Sequence, residues 1–307
     1  IVTDWLCAGH GRGILKSRRR SSLFAQAEPI RAEPDGTMSK PVLINIGCGR
    51  VWHPDWINLD HRPTAPEIRP FDIRKPLPFG EGVADAVYAS HVLEHLERDE
   101  ARRLLRNCRR ILRPGGLLRV VVPDLEDLCR FYLERLQAVI ERPDGDNEMA
   151  YNWAYLHLLD QHVRRQNGGE QGAFMTTPGL TDNDNVRARL STDVLRILYE
   201  DPDSLRPRGA RGRLRQAGLQ VARRVLPQYV AEALESAFVL RAGELHRVAY
   251  DRFSLPRLLR EAGFMETAIL DAYSSGIPDF AIAELDCVQG KPRKPGSLYV
   301  EAVCPWI

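Results

Sequence analysis

One short glycine turn constrains the fold of this chain more than any other feature. The apolar run at residues 43–46 leads directly into Gly47, Cys48 and Gly49, and a second apolar run closes on Asp60. Open α/β sheets build nucleoside sites from a glycine turn after one strand and an acid after the next. Glycine lets a ligand approach the main chain, and an ionised carboxylate accepts hydrogen bonds from a pair of ribose hydroxyls. The pattern predicts an α/β fold with a bound nucleoside.

The apolar runs around this turn predict a buried parallel sheet. Short β-branched runs are typical of such strands, which are predicted at residues 42–46, 56–59, 68–71, 85–89 and 117–122. Apolar residues at helical spacing predict an amphipathic helix over residues 98–112, closed by Pro114 and Gly115. Strands at residues 266–270 and 298–303 are predicted to complete the sheet as an antiparallel pair at its edge.

Three motifs follow one another between these elements, namely GCG at residues 47–49, HVLEH at residues 91–95 and LRPGG at residues 112–116. This order resembles the class I S-adenosylmethionine-dependent methyltransferases, most closely their type 11-like, small-molecule branch. The resemblance covers residues 41–123 and resumes at residues 246–264. It implies a Rossmann-like, seven-stranded, mostly parallel sheet with helices on both faces, and S-adenosylmethionine as the cofactor.

The resemblance also implies where the cofactor binds. The glycine turn would cradle its methionine end, Asp60 would hold the ribose, and the acid after the third strand would flank the adenine. The cofactor-binding residues carried over are Asn45, Gly47, Cys48, Gly49, Asp60, Asp72, Ile73, Ser90 and His91.

Two departures from the family pattern stand out. Asn45 occupies the position of the usual acid before the first glycine, so it can accept a hydrogen bond but brings no charge to the cofactor's ammonium. Only residues 50–55 separate the turn from the next strand, whereas a parallel crossover usually takes a dozen residues or more. The first helix is therefore predicted to be vestigial, with Trp52 and Trp56 packed in its place.

Candidate catalytic residues follow the fourth and fifth strands. His91 and His95 lie four residues apart at the end of the fourth strand, where a neutral imidazole can act as a general base. Asp124 follows the fifth strand, where it can orient an acceptor hydroxyl or cap the next helix. The order of HVLEH lacks the HExxH of a zinc helix, so no metal site is predicted.

Two other classes of function remain open. A nicotinamide-dependent oxidoreductase needs a third glycine where this chain has Trp52, which disfavours it. A methyltransferase-like subunit that binds the cofactor without catalysis is the other alternative, although the intact glycines and Asp60 argue against full degeneration.

Composition and charge exclude several further classes. The chain has 307 residues, a formal net charge of +2 and no apolar run near the length of a membrane span. Its six cysteines show no disulfide or metal-ligand spacing, which predicts free thiols in the cytoplasm. The basic segments lack interleaved aromatic clusters, so no nucleic-acid partner is predicted.

The predicted organisation has four parts. Residues 1–37 are interpreted as a disordered extension or non-native leader, and residues 38–123 as the cofactor-binding half. Residues 124–245 form a helical insertion after the fifth strand that acts as a lid or substrate region, and residues 246–307 complete the sheet. Within the insertion, a mixture of aromatic and polar side chains suggests a sugar or glycan acceptor; these residues are Asn152, Trp153, Tyr155, His157, Asp160, Gln161 and His162. The basic amphipathic segment 204–231 suggests peripheral contact with an anionic membrane.

Overall fold

The computed structural model describes residues 40–165, 168–200, 221, 224–230 and 245–306. Its strands are β1 (Leu43–Ile46), β2 (Ile57–Asp60), β3 (Ile68–Pro70), β4 (Ala84–Ser90), β5 (Leu112–Pro123), β6 (Thr267–Leu270), β7 (Cys287–Val288), β8 (Lys291–Pro292) and β9 (Ser297–Val303). Seven of them form one sheet in the order β3-β2-β1-β4-β5-β9-β6, and β7 and β8 pair separately. The predicted α/β class with a seven-stranded, mostly parallel sheet is confirmed.

Helices flank the sheet and fill the long segment after β5. They are α1 (Arg98–Ile111), α2 (Leu125–Glu141), α3 (Gly145–Val163), α4 (Gly169–Phe174), α5 (Asp184–Arg187), α6 (Thr192–Glu200) and α7 (Ser254–Glu261). Helix α1 buries the apolar face that its spacing predicts, and α1 and α7 contribute to the same apolar core on one face of the sheet. No helix within the described ranges combines the length and hydropathy of a membrane span.

The two closing strands lie at one edge of the sheet and pair antiparallel to each other, as the sequence predicts. Strand β9 lies between β5 and β6, so β6 is the edge strand. Because β9 is antiparallel to both neighbours, β6 runs in the same direction as β5. Residues 271–296 connect β6 to β9, and this connection is long enough to pass over the sheet instead of turning tightly.

Strand β5 also begins earlier than predicted. Ala84 pairs with Leu112 and Ala86 pairs with Leu117, so the Pro-Gly-Gly sequence bulges out between two paired stretches of one strand. Periodicity alone places the strand start after the glycines, because a bulge conceals the continuity of the ladder.

The other face of the sheet lacks the helix that would join β1 to β2. Residues 47–56 form turns, as predicted, and Trp56 is buried. Its ring packs edge-to-face on Tyr88 and Phe280, with centroid distances of 6.2 and 6.0 Å. Phe280 comes from residues 271–286, so a segment late in the chain covers this face.

The predicted division into four parts stays a prediction. Within residues 124–245, helices α2–α6 surround a separate apolar core that includes Phe131, Trp153 and Val186. The predicted leader at residues 1–37 lies outside the described residues, and so does most of the basic segment 204–231.

Candidate active site

Two adjoining cavities open at the carboxyl ends of the central strands. The first cavity, of about 410 Å³, is lined by residues that include Gly47, Asp60, Asp72, Ile73, Arg74, His91 and His95. The second cavity, of about 240 Å³, is lined by residues that include Asn45, Gly47, Cys48, Gly49, Ser90 and His91. All nine residues predicted to bind the cofactor therefore line one cavity or the other, and Gly47 and His91 line both.

The glycine turn is tied to the neighbouring strand. Gly47 and Gly49 have φ angles of +66° and +57°, a region that favours glycine. The amides of Gly47 and Cys48 both donate to the carbonyl of Leu59, at 2.8 and 3.2 Å. Burial raises the pKa of Cys48 to about 12, so its thiol stays protonated and acts as a small apolar residue.

Asp60 holds the turn as well as lining the first cavity. Its Oδ2 accepts from the amide of Gly49 at 2.8 Å, and its Oδ1 accepts from the amide of Arg62 at 2.7 Å. Each carboxylate oxygen has two acceptor positions, so both can accept a further hydrogen bond from a ribose hydroxyl. The sequence did not predict that Asp60 also stabilises the turn. Because of this second role, the contact with a ligand and the shape of the turn depend on each other.

Asp72 is held ionised at the far end of the first cavity. Arg74 donates to both of its oxygens, from Nε and Nη2, each at 2.8 Å. This hydrogen bonding lowers the pKa of Asp72 to about 2. The Asp72 carboxylate is therefore ionised and a hydrogen-bond acceptor at neutral pH.

Asn45 leaves an acceptor without a partner at the second cavity. Its amide nitrogen donates to the carbonyl of Val51 at 3.0 Å and to Asn58 Oδ1 at 3.2 Å, which fixes the orientation of the side chain. Its Oδ1 is buried and has no hydrogen bond. Because a buried unpaired acceptor is costly, this atom fits a ligand donor such as an ammonium group.

His91 stands where the two cavities meet. Its backbone has a φ of +54°, and non-glycine residues in this region often mark functional sites. The ring Nε2 lies 3.0 Å from Ser297 Oγ, and Nδ1 lies 3.3 Å from Glu94 Oε1. Burial lowers the pKa of His91 well below its ordinary value, so the imidazole is neutral.

The other two predicted catalytic residues lie in different places. His95 lines the first cavity, and its Nδ1 contacts the carbonyl of Leu245 at 3.1 Å. Asp124 caps α2 by accepting from the amide of Glu126 at 3.0 Å, and it lines neither of these two cavities. Its contacts support capping, and the orientation of an acceptor by Asp124 stays a prediction.

The helical residues predicted to suit a sugar lie away from both cavities. Trp153 is buried and stacks on Phe174, with ring centroids 6.3 Å apart. Asp160 is buried and pairs with Arg164 at 2.6 Å. Trp153 thus faces the apolar core of the helical region, whereas Asn152 and Tyr155 are exposed. The sequence could not distinguish these positions from a binding face, because a helix that packs on its neighbours and one that binds a ligand share the same amphipathic pattern.

Sequence reasoning missed the polar wall of the second cavity. The residues that form it include Tyr88, Asp193, Asp286, Arg293, Lys294 and Tyr299. The Tyr88 hydroxyl donates to Asp286 Oδ1 at 2.5 Å. Asp286 and Lys294 sit in the connection between the closing strands, where no local pattern marks them as functional.

A buried ion network supports this wall from below. Arg119, which is fully buried, contacts Asp286 at 2.6 Å and Glu301 at 2.9 Å, and it also donates to two carbonyls of residues 271–274. An arginine within the apolar run of β5 was the available signal, because a buried charge requires partners.

A family model described as "Methyltransferase domain" matches residues 45–120, which contain the glycine turn, Asp60, Asp72 and His91. Residues 45–120 are thus similar to a methyltransferase domain. S-adenosylmethionine is the cofactor, and the unpaired acceptor of Asn45 beside the glycine turn fits its ammonium group.

Other comparisons add little to this assignment. No curated protein matches the chain. Solved structures similar to it include a SAM-dependent methyltransferase from Archaeoglobus fulgidus (12% identity, 86% of each chain covered, TM-score 0.35) and a possible histamine N-methyltransferase from Thermotoga maritima (12% identity, 85% of this chain and 81% of that chain, TM-score 0.33). A sugar N-methyltransferase from Streptoalloteichus is 22% identical over 26% of this chain and 40% of that chain, with a TM-score of 0.22.

The turn yields a prediction that separates binding from folding. Gly49 and Gly82 have similar φ angles, +57° and +64°, and an added Cβ meets no atom within 3.4 Å at either position. Gly49→Ala and Gly82→Ala should therefore lower the free energy of unfolding by a similar amount, about 1 to 2 kcal/mol. Only Gly49→Ala should weaken S-adenosylhomocysteine binding, by roughly tenfold, because Gly49 lines the second cavity and Gly82 lines neither. Calorimetric titration and urea unfolding measure the two effects, and equal affinities would contradict the placement of the ligand.

Proposed function

We propose that this chain is an S-adenosylmethionine-dependent methyltransferase that acts on a small polar acceptor, with a sugar or glycan hydroxyl as the preferred group. The observation that carries the proposal is that two cavities meet at Gly47 and His91. The first cavity is lined by the acids predicted to contact the ribose and the adenine, and the second by polar side chains of both charges.

The first cavity suits the adenosine part of the cofactor. Asp60 would accept from the ribose hydroxyls, and Asp72 and Ile73 would flank the adenine. The methionine end would pass over Gly47 toward Asn45 Oδ1, which lacks a donor. Bound there, S-adenosylmethionine supplies an electrophilic methyl group on a sulfonium.

The second cavity suits the acceptor. Tyr88, Asp286 and Lys294 offer hydroxyl, carboxylate and ammonium groups within one small space, a mixture suited to a polyol. Methyl transfer is accelerated mainly by holding donor and acceptor in line in a pocket that excludes water. We propose that His91 positions the acceptor from the junction of the cavities, and its role as a general base stays a prediction.

The proposal is tested by comparing Asp60→Asn with Asp55→Asn. The first variant keeps the size of the side chain but removes the charge that the ribose hydroxyls would contact, whereas Asp55 is exposed and pairs with Lys40 outside both cavities. Asp60→Asn should weaken S-adenosylhomocysteine binding by about ten- to a hundredfold, the equivalent of about 1.5 to 3 kcal/mol. Asp55→Asn should leave it unchanged. The measurement is calorimetric titration of each variant.

Other outcomes would favour other functions. Binding of a nicotinamide dinucleotide in place of S-adenosylhomocysteine would favour an oxidoreductase. Tight cofactor binding without methyl transfer from labelled S-adenosylmethionine to any sugar, amine or carboxylate acceptor would favour a non-catalytic partner subunit. Transfer to apolar acceptors alone would contradict the polar acceptor.

A further inference from the structure

A buried carboxylate without hydrogen bonds lies beside the first cavity. Glu94 sits in the short turn Leu93–His95 after β4, and only 1% of its surface is exposed. Neither of its carboxylate oxygens has a hydrogen bond. An isolated buried carboxylate is strongly unfavourable, so it requires a proton or a cation close to it.

Histidines surround this carboxylate. His95 Nε2 lies 3.9 Å from Glu94 Oε1, and His91 Nδ1 lies 3.3 Å from the same oxygen. His246 comes from a distant part of the chain, and its ring packs edge-to-face on that of His95 with a centroid distance of 4.9 Å. One ligand atom from each of Glu94, His95 and His246 lies within 4.8 Å of the other two.

The backbone orients two of these groups. His95 Nδ1 contacts the carbonyl of Leu245 at 3.1 Å, so Nδ1 carries the proton and the lone pair is left on Nε2, on the side of Glu94. A ring nitrogen that donates to a carbonyl while the other faces a metal is the usual second contact of a metal-bound histidine. The carbonyl of Glu94 accepts from the amides of Arg247 and Val248, which holds the segment bearing His246 against the turn.

We propose that Glu94, His95 and His246 bind one divalent transition-metal ion. Two imidazoles and a carboxylate suit Zn²⁺ or a similar ion, whereas Mg²⁺ and Ca²⁺ prefer oxygen ligands. The ligands of a tetrahedral zinc lie about 3.4 Å apart, so small side-chain rotations would draw these atoms in by about 1 Å. The ion would neutralise Glu94 and fasten residues 245–248 to the end of β4. Lys294 also acts electrostatically on Glu94, but it forms no hydrogen bond with it.

The site is tested on the full chain with Zn²⁺ and Co²⁺ as probes, after dialysis against a chelator. The parent should bind one Zn²⁺ per chain, measured by elemental analysis and calorimetry, melt at a higher temperature with the ion, and give the visible spectrum of low-coordinate Co²⁺. His246→Gln and Glu94→Gln should each weaken Zn²⁺ binding by more than about tenfold. His157→Gln is the matched control. His157 is a histidine that lines the same small cavity as Glu94 and His246, but it is not one of the three proposed ligands.

Glu94→Gln keeps the proposal falsifiable if the histidine variant folds poorly, since glutamine has the same shape and no charge. Equal Zn²⁺ affinity in the parent and in Glu94→Gln would overturn the site. A parent that binds no Zn²⁺, and whose melting temperature does not respond to it, would also overturn the site. Neither result would affect the S-adenosylhomocysteine test of the proposed function.

Discussion

Replacing Arg119 with methionine should destabilise the fold by about 3 to 5 kcal/mol, because it leaves Asp286 and Glu301 buried without their partner. Methionine retains most of the side-chain length, so lost packing contributes less than lost charge. The free energy of unfolding in urea measures the effect. Arg257→Met is the control, since Arg257 pairs with Glu261 on the exposed surface of α7, where ion pairs contribute little.

The loss of unfolding free energy in Arg119→Met should increase with pH. Burial already raises the pKa of Asp286, and Arg119 opposes that shift. Without the arginine, the pKa of the Asp286 carboxyl in the folded state rises further above its unfolded value, so folding of the variant is favoured at low pH and disfavoured as pH increases. The deficit relative to the parent should therefore be larger at pH 8 than at pH 5. A deficit below about 1 kcal/mol at both pH values would contradict the assigned role of the network.

Gly47→Ala should cost about 2 to 5 kcal/mol of stability and also abolish tight S-adenosylhomocysteine binding. Alanine at a φ of +66° is strained by about 1 to 2 kcal/mol. Its Cβ would also lie 2.5 Å from Val92 Cγ2, a stiff and buried side chain, and overpacking of this kind costs about 1 to 3 kcal/mol more.

A double variant separates the two causes. Val92→Ala removes the clashing methyl, so Gly47→Ala should be less harmful in that background than in the parent. Double-mutant analysis of unfolding free energies measures this difference. If the effect of Gly47→Ala were the same in both backgrounds, backbone strain alone would account for it.

The sequence predicts the strands well, together with the sheet edge that carries the glycine turn and Asp60, because both depend on patterns of neighbouring residues. The runs around Gly47 and Asp60 are short, β-branched and bounded by turns, and the structure places their strand ends within one residue of the predicted positions. The missing first helix was also predictable, since six residues between turn and strand leave no room for it.

The polar wall of the second cavity was not predictable for the opposite reason. Asp286 and Tyr88 are separated by almost 200 positions in the chain, and only the passage of residues 271–296 over the sheet brings them together. The same holds for His246, whose proximity to Glu94 depends on a backbone contact with no sequence signature. Residue spacing predicts which side chains are neighbours along one helix or strand, but it does not predict contacts between residues that are far apart in the sequence.

The cover supplied by residues 271–286 has a consequence for how the protein is made. Trp56 and Tyr88 are translated before Phe280 and Leu285, which shield them in the folded protein. Until residues 271–286 have been synthesised, the nascent chain carries an exposed aromatic surface, so residues 38–123 cannot reach their final packing before that later segment is available.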